Sequence, residues 1–458
     1  MTESPRVGGR AILGLLALSA VVGVAVSFAA WGFLELTHQI QVGVFDKLPE
    51  AVGYDDGAPT WWPLPPLALA GVLVAFAIDR LPGTGGHNPA EGLKTGTTTP
   101  VELPGVLLAA VATIGLGVVL GPEAPLIALG SGLGMLAIGR LRRDAPEPLV
   151  AVVAGAGAFA AISFIFGSPI IGAVILIEAA GMDREKLQIV VPTGLLAAGI
   201  GGLVSVGMGQ WTGLSTSSYS LGPLDLPSFA RPDVVDFAWT VPLAVAVALG
   251  MLLIFRAARA LQPVLLRRIY VLLPAAGLAI AGLAIAFSQM TDQSASEVLF
   301  SGQDQLPGLV QDASGWSVWA LVAVLVLKSA AWSISLAGFR GGPTFPGLYL
   351  GAAAGVLASH LPGFPITPAV AVGMGAAVVA VLRLPLSAVI LATLLTARSG
   401  AGAESLIIVG VVVAFVTVLA ADRRSAGPVA DESADRRQHV PAADAPAQTR
   451  PAAGSAPR

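Results

Sequence analysis

The chain has 458 residues, of which 55% are hydrophobic and only 12% charged, with a formal net charge of -3. A water-soluble domain of this size carries roughly twice that share of charge on its surface, so a soluble protein is excluded, and so slight a net charge points to no nucleic-acid partner. There is no cysteine, which removes disulfides, Fe–S clusters and thiol catalysis, and the four histidines (His38, His87, His360 and His439) lack metal-ligand spacing, so no cofactor or metal is expected.

The first apolar stretch, 11–36, is too long for a signal-peptide core and reads as a retained transmembrane helix. Further apolar segments follow at 63–79, 103–120, 124–139, 149–165, 169–180, 187–208, 235–255, 269–289, 316–337, 345–359, 366–382, 385–396 and 404–420. Several have only about 12–17 residues, short for ~30 Å of hydrocarbon. Short apolar segments broken by Gly and Pro predict re-entrant or discontinuous helices, and the 55 glycines and 34 prolines fit that reading.

Lys and Arg set the orientation. One set of connections carries Arg6, Arg10, Arg80, Lys94, Arg140, Arg142, Arg143, Arg184, Lys186, Arg256, Arg259, Arg267 and Arg268; the alternate set is nearly bare, with Lys47 and Arg231. The positive-inside rule puts the first set in the cytoplasm. The expected organisation is a cytoplasmic N-terminus (1–10), a first membrane repeat (11–208), an extracytoplasmic linker (209–234), a second membrane repeat (235–421) and a disordered cytoplasmic tail (422–458).

The doubling is read from matched features in matched order. Pro169-Ile170-Ile171-Gly172-Ala173-Val174-Ile175-Leu176 resembles Pro385-Leu386-Ser387-Ala388-Val389-Ile390-Leu391, and each follows a small-residue run around Gly155-Ala156-Gly157 or Gly373-Met374-Gly375. Each precedes a segment long enough to span, and upstream of each lies a Gly/Pro break, 121–125 or 341–346. A two-repeat transporter places its substrate where such broken helices meet, near the midplane.

Glu123, in Gly121-Pro122-Glu123-Ala124-Pro125, is the most informative residue. A carboxylate between apolar stretches is a functional candidate by default. Pro125 falls in the first turn of the following helix, so the carboxylate stands beside free N–H groups and the positive end of a helix dipole, an arrangement that binds anions. A tethered carboxylate there competes with a free anion, and protonation releases it.

Over about 11–421 the sequence resembles the CLC chloride channels and proton-coupled anion transporters. Glu123 matches the gating glutamate of the family's Gly-Arg-Glu-Gly-Pro motif. Phe166-Gly167-Ser168-Pro169-Ile170-Ile171-Gly172 through Glu178 resembles its Phe-Asn-Ala-Pro-Leu-Ala-Gly helix, and 373–387 resembles the second-half counterpart. Gly341-Gly342-Pro343-Thr344-Phe345-Pro346 is similar to the Gly-Gly-Ile-Phe-Ala-Pro helix start that lends backbone amides to the anion. The resemblance implies an all-α integral membrane fold of two inverted repeats of tilted and broken helices, a homodimer in the cell membrane, and voltage-gated or proton-coupled transport of chloride rather than an enzyme.

The anion-binding set so implied is Gly121, Ala124, Gly342, Thr344 and Phe345 around the Glu123 gate, with Gly86, His87 and Asn88 from the loop 83–89. The family's serine in that loop falls on Gly86 if Pro89 is matched, or on Thr84 if the first glycine is. Its pore tyrosine sits on a last helix for which the apolar sequence, ending near Ala421, offers no counterpart. Fluoride is therefore the runner-up to chloride, because fluoride-exporting members also alter those serine and tyrosine positions. Coupled exchangers carry two adjacent glutamates; here the first is Glu178, on a possible proton path, and the second is Ala179, which predicts uncoupled transport. Lys328, Arg340 and Arg383 are embedded charges, read as vestibule cations or structural partners. The helices after Pro169 and Pro385, with 187–208 and 404–420, are expected to form the dimer surface, with Ile189 and Ile407 on it.

Overall fold

A computed structural model describes residues 9–55, 57–92, 96–181, 184–213 and 221–426. Among these the structure is all-helical. The first half contains α1 (Gly9–Val42), the short turn α2 (Leu48–Ala51), α3 (Leu64–Arg80), α4 (Leu103–Gly115), α5 (Glu123–Leu141), α6 (Glu147–Phe166), α7 (Pro169–Ala180) and α8 (Arg184–Thr212). The second half contains α9 (Val234–Leu265), α10 (Ile269–Thr291), the short α11 (Leu306–Gln311), α12 (Val318–Gly338), α13 (Thr344–Ala358), α14 (Ile366–Leu382), α15 (Pro385–Leu395) and α16 (Glu404–Ala426). Seven helical stretches among the described residues are long and apolar enough to cross a membrane, whereas α4, α7, α13, α14 and α15 are shorter. At 1.5 Å per residue the 12-residue α7 extends only ~18 Å, so it cannot span the hydrocarbon alone.

The breaks that define these helices are written locally. Gly167, at φ 58°, ends α6 in the left-handed conformation; Ser168 then accepts from the Ile171 N–H and Pro169 opens α7 at N1. Asp233 and Asp236 form a reciprocal capping box at the start of α9, at 2.9 and 2.8 Å. Ser317 caps α12 through the Ala320 N–H.

Glycine sets how closely the helices approach. A Cβ at Gly130 of α5 would overlap the Gly157 carbonyl of α6, and one at Gly157 would overlap the Gly130 carbonyl. Gly351 of α13 and Gly373 of α14 stand in the same reciprocal relation. One turn on, a Cβ at Gly134 would meet Val153 O at 2.6 Å, and one at Gly355 would meet Ala369 O at 2.5 Å. Without a hydrophobic force between helices in lipid, such backbone approach supplies the packing. The two halves also meet each other: a Cβ at Gly71 of α3 would lie 2.5 Å from the Leu273 carbonyl of α10, and one at Gly277 of α10 would overlap the Leu67 carbonyl of α3.

Several boundaries differ from the sequence reading. The first helix runs to Val42, not 36. The segment expected over 103–120 stops at Gly115, because the chain turns at Gly117, φ 94°. Helix α8 continues through the start of the expected linker to Thr212, and 214–220 lie outside the described residues. The remainder of that linker is pinned to the second half: Leu224 N–H donates to Leu395 O at 2.7 Å, Phe229 N–H to Ser399 O at 2.8 Å, and Arg398 pairs with Asp225 at 2.6 Å. At the other end α16 reaches Ala426, five residues into the expected tail, where Asp422 pairs with Arg383 at 2.8 Å; 427–458 lie outside the described residues.

One surface expectation is corrected. Ile407 is fully buried, in contact with the ideal Cβ position of Gly375 in α14, so it is no surface residue. The outward face of α16 carries Ile408, Val412 and Val416 instead, while Ile189 of α8 is exposed as expected.

Candidate functional site

The two Gly/Pro breaks come together. Gly121 and Gly342 form an isolated antiparallel bridge, Gly121 N–H donating to Gly342 O at 2.7 Å and Gly342 N–H to Gly121 O at 2.6 Å. Immediately after it, Gly-Pro-Glu-Ala-Pro opens α5 and Gly-Pro-Thr-Phe-Pro opens α13, with Pro122 at φ -87°, ψ -3° and Pro343 at φ -92°, ψ -7°. The chain thus enters both helices by the same turn. An antiparallel pairing of equivalent residues is what two repeats of opposite orientation produce, and it puts two helix N-termini side by side with their free N–H groups converging.

Glu123 is the first residue of α5 and is 2% exposed. Its Oε1 accepts a hydrogen bond from the Thr344 N–H, at the start of the other helix. The Phe345 N–H and the Thr344 hydroxyl also lie against the carboxyl group. Oε2 is buried without a hydrogen-bond partner. The space is made by glycine: a Cβ at Gly342 would overlap the Glu123 carboxyl carbon, and one at Gly121 would overlap Oε2. Phe345 stacks on Phe166 with ring centroids 5.4 Å apart, so an aromatic pair closes one wall.

A cavity of about 210 Å³ lies next to Glu123. Gly85, Gly86 and His87 line it from one side, Ala124 and Pro125 from the first turn of α5, and Arg340 and Gly341 from the approach to α13. Gly86 has φ 98°, a conformation that favours glycine and turns the loop past the cavity. Of the two alignments left open by the sequence, the structure puts Gly86 on the cavity; Thr84 is not in its lining and spends its carbonyl on Arg340. Asn88 is also absent from the lining. Its Oδ1 caps the following turn by accepting from the Ala90 N–H at 2.9 Å.

The other embedded charges separate by role. Lys328 is completely buried in α12, and its ammonium donates to Glu297 O at 2.8 Å and Leu299 O at 3.0 Å, with Val298 O and Phe300 O farther off. It lies 4.5 Å from the centre of the Tyr349 ring, whose hydroxyl donates to Glu297 at 2.5 Å. Lys328 therefore pins the 297–300 turn against α12 and α13. Glu178 reaches the second half of the chain. Its carboxylate accepts from the Leu386 N–H at 2.9 Å, the Ser387 N–H at 2.8 Å and the Ser387 hydroxyl at 2.6 Å, capping α15 from the end of α7.

Two contributors lay outside the expected site: Arg340 on the cavity and Phe166 in the aromatic wall. In the sequence Arg340 reads as a vestibule cation or a structural partner. Phe166 opens the motif matched at 166–172, which is the signal that could have placed it at the site.

The comparisons with known proteins agree with this fold. The "Voltage gated chloride channel" family model matches residues 70–419. The "Putative ion-transport protein YfeO" of Salmonella schwarzengrund is 29% identical over 374 residues, covering 79% of this chain and 84% of the relative. Its counterpart in Escherichia coli O1:K1 / APEC is 28% identical over 360 residues, covering 77% and 81%. Among solved structures, a slow cyanobacterial Cl-/H+ antiporter superposes with a TM-score of 0.70 at 18% identity, over 93% of this chain and 98% of that one. A CLC-type fluoride/proton antiporter superposes with a TM-score of 0.66 at 17% identity, over 90% and 96%. The chain belongs to the voltage gated chloride channel family, the CLC channels and transporters of small anions, and is a multi-pass membrane protein.

Proposed function

We propose that the chain passes chloride through a pathway gated by Glu123, without tight coupling to protons. One observation carries the proposal. A buried carboxylate occupies the converging N-termini of α5 and α13, with one oxygen on the Thr344 N–H and the other without a donor. Donors that hold a carboxylate can hold a small anion, and only one of the two can be there. Protonation weakens the carboxylate's hold and leaves the donors to the anion. The anion then meets the main chain at Ala124, Thr344 and Phe345, and at His87 in the adjoining cavity; of the other residues expected to bind it, Gly121 and Gly342 spend their N–H groups on each other's carbonyls and Gly86 spends its own on Gly83 O.

The uncoupled reading rests on Ala179 and Glu178. An alanine methyl carries no proton, and the Glu178 carboxylate already accepts three hydrogen bonds from the start of α15. Membrane repeats over 11–208 and 235–421 rest on the matched motifs of the two halves, cytoplasmic termini on the Lys/Arg asymmetry, and the cell membrane as location on the family. A homodimer through α7, α8, α15 and α16 is supported by their exposed apolar residues, among them Ile170, Leu203, Leu386 and Ile408. Trp at Leu203 together with Trp at Ile408 should shift the purified protein toward monomer.

Purified protein in chloride-loaded liposomes, with efflux followed by electrode across a pH series, tests the gate. In Glu123→Gln, flux should persist and lose most of its pH dependence; a wild-type pH profile in that variant would show the assignment wrong. Fluoride loading tests the second anion, favoured by the altered loop at Gly86: efflux of fluoride but not chloride would replace chloride as substrate. Uphill proton movement driven by an anion gradient, and abolished by Glu123→Ala, would overturn the uncoupled reading.

A further inference from the structure

We infer that Arg340 is a further anion-coordinating residue, holding a fixed positive charge in the cavity beside Glu123. The inference rests on the reading of that cavity as part of an anion pathway. Arg340 is 6% exposed, yet its side chain lines the cavity. Its Nε donates to Thr84 O at 3.3 Å, and its Nη1 to Phe339 O at 3.1 Å and Gly338 O at 3.4 Å. These carbonyls satisfy directional donors but leave the net charge in place. Glu91 acts on the guanidinium at a distance, and Arg340 makes no ion pair among the described residues. A charge held this deep without a carboxylate partner is costly, and a bound anion is the natural compensation.

The lining fits that occupant. Besides Arg340 it is lined by Gly85 and Gly341, by Ala124 in the first turn of α5, and by Thr97 and Thr98, while the Gly86 N–H is spent on Gly83 O. No carboxylate is among the lining residues. The arginine is also immobilised. Its stem passes 3.5 Å from where a Gly85 Cβ would stand, and its backbone N–H reaches the Thr113 hydroxyl at 3.4 Å.

The hydrogen bonds further narrow the ligand. Arginine ordinarily clasps a planar oxyanion with two parallel N–H groups, one of them from Nε or Nη1. Here Nε and both bonds of Nη1 are committed to carbonyls, which leaves Nη2 outside these bonds. A single donor end suits a monatomic halide and gives a trigonal oxyanion no bidentate grip. Arg340 therefore binds a halide, one step along the pathway from Glu123.

The test is calorimetric titration of chloride and of nitrate into purified protein, paired with the chloride dependence of liposome flux, for wild type, R340Q, R340K and E123Q. Removing one charged hydrogen-bond partner should weaken chloride binding about tenfold or more in R340Q and raise the half-saturating chloride in flux correspondingly. R340K keeps the charge and should stay within a few-fold of wild type, which keeps the test open if R340Q does not fold. Wild type should bind nitrate no more tightly than chloride. Wild-type chloride affinity in folded R340Q, a tenfold loss in R340K equal to that in R340Q, or a strong nitrate preference would each overturn the assignment. E123Q separates the two readings: a gate failure leaves its pH profile at wild type while the Arg340 effect on affinity persists, whereas an Arg340 failure leaves affinity unchanged while E123Q still flattens the pH response.

Discussion

The starts of α5 and α13 are built alike and do different things. Each follows a bridging glycine and a proline of nearly the same backbone angles, and each helix crosses its successor at reciprocal glycines. Gly130 and Gly351 stand at the same distance from Glu123 and Thr344, and Gly157 and Gly373 at the same distance from Pro169 and Pro385. Within this shared frame one repeat supplies the acid and the other supplies the donors, since Glu123 of the first is held by the Thr344 N–H of the second. Duplicated architecture has thus fixed position, and single substitutions at equivalent places have divided the chemistry.

Breaking the shared frame should have the largest effect. Gly157→Ala and Gly373→Ala each push a methyl into a carbonyl of the facing helix, at an expected cost of about 3 kcal/mol or more, read as loss of the folded fraction in detergent. Similar losses from both variants would uphold the equivalence of the two crossings; tolerance of one alone would break it. Lys328 exists in the second repeat only, and Lys328→Met strands the carbonyls of the 297–300 turn. About 2 kcal/mol of destabilisation is expected, seen as a lower thermal unfolding midpoint, and an unchanged midpoint would remove its role as a pin.

The division of chemistry is probed at Gly342. The methyl of Gly342→Ala occupies the place of the Glu123 carboxyl carbon, so the side chain must leave the Thr344 N–H. Anion flux should then lose several-fold of its pH response, as in Glu123→Gln; a wild-type profile would mean that contact with α13 is not what gates. The smallest effect is expected at Glu178, which caps α15, whereas the corresponding place at the end of α15 is Leu394. Glu178→Ala should cost about 1 kcal/mol in thermal unfolding, with flux essentially retained.

Much of the fold was legible because membrane helices declare themselves by apolar length. All fourteen apolar segments correspond to helices, and the short ones are the broken ones. What was not legible required a partner distant in the chain. The capping role of Glu178 is not visible in its own stretch of sequence, because its donors, the Leu386 and Ser387 N–H groups and the Ser387 hydroxyl, lie in the other repeat. Ile407 looked like a surface residue because a uniformly apolar helix gives no periodic sign of which face meets Gly375 and which meets lipid. Glu123 was found because a carboxylate at that depth is conspicuous alone. Arg340 was weaker as a signal, since nothing before folding tells whether its charge is paired.

The bridge between Gly121 and Gly342 also bears on time. Two short backbone hydrogen bonds tie together the segments that lead into both helices, so opening of the proposed Glu123 gate need not wait for α5 and α13 to part. What has to move is one side chain, by rotation about its own bonds. Rearrangement of packed helices occupies microseconds to milliseconds, while a freed side chain changes rotamer in roughly picoseconds to nanoseconds. On the proposed gating by Glu123, residence of the proton on that side chain, rather than the inertia of the scaffold, sets how long the pathway stays open.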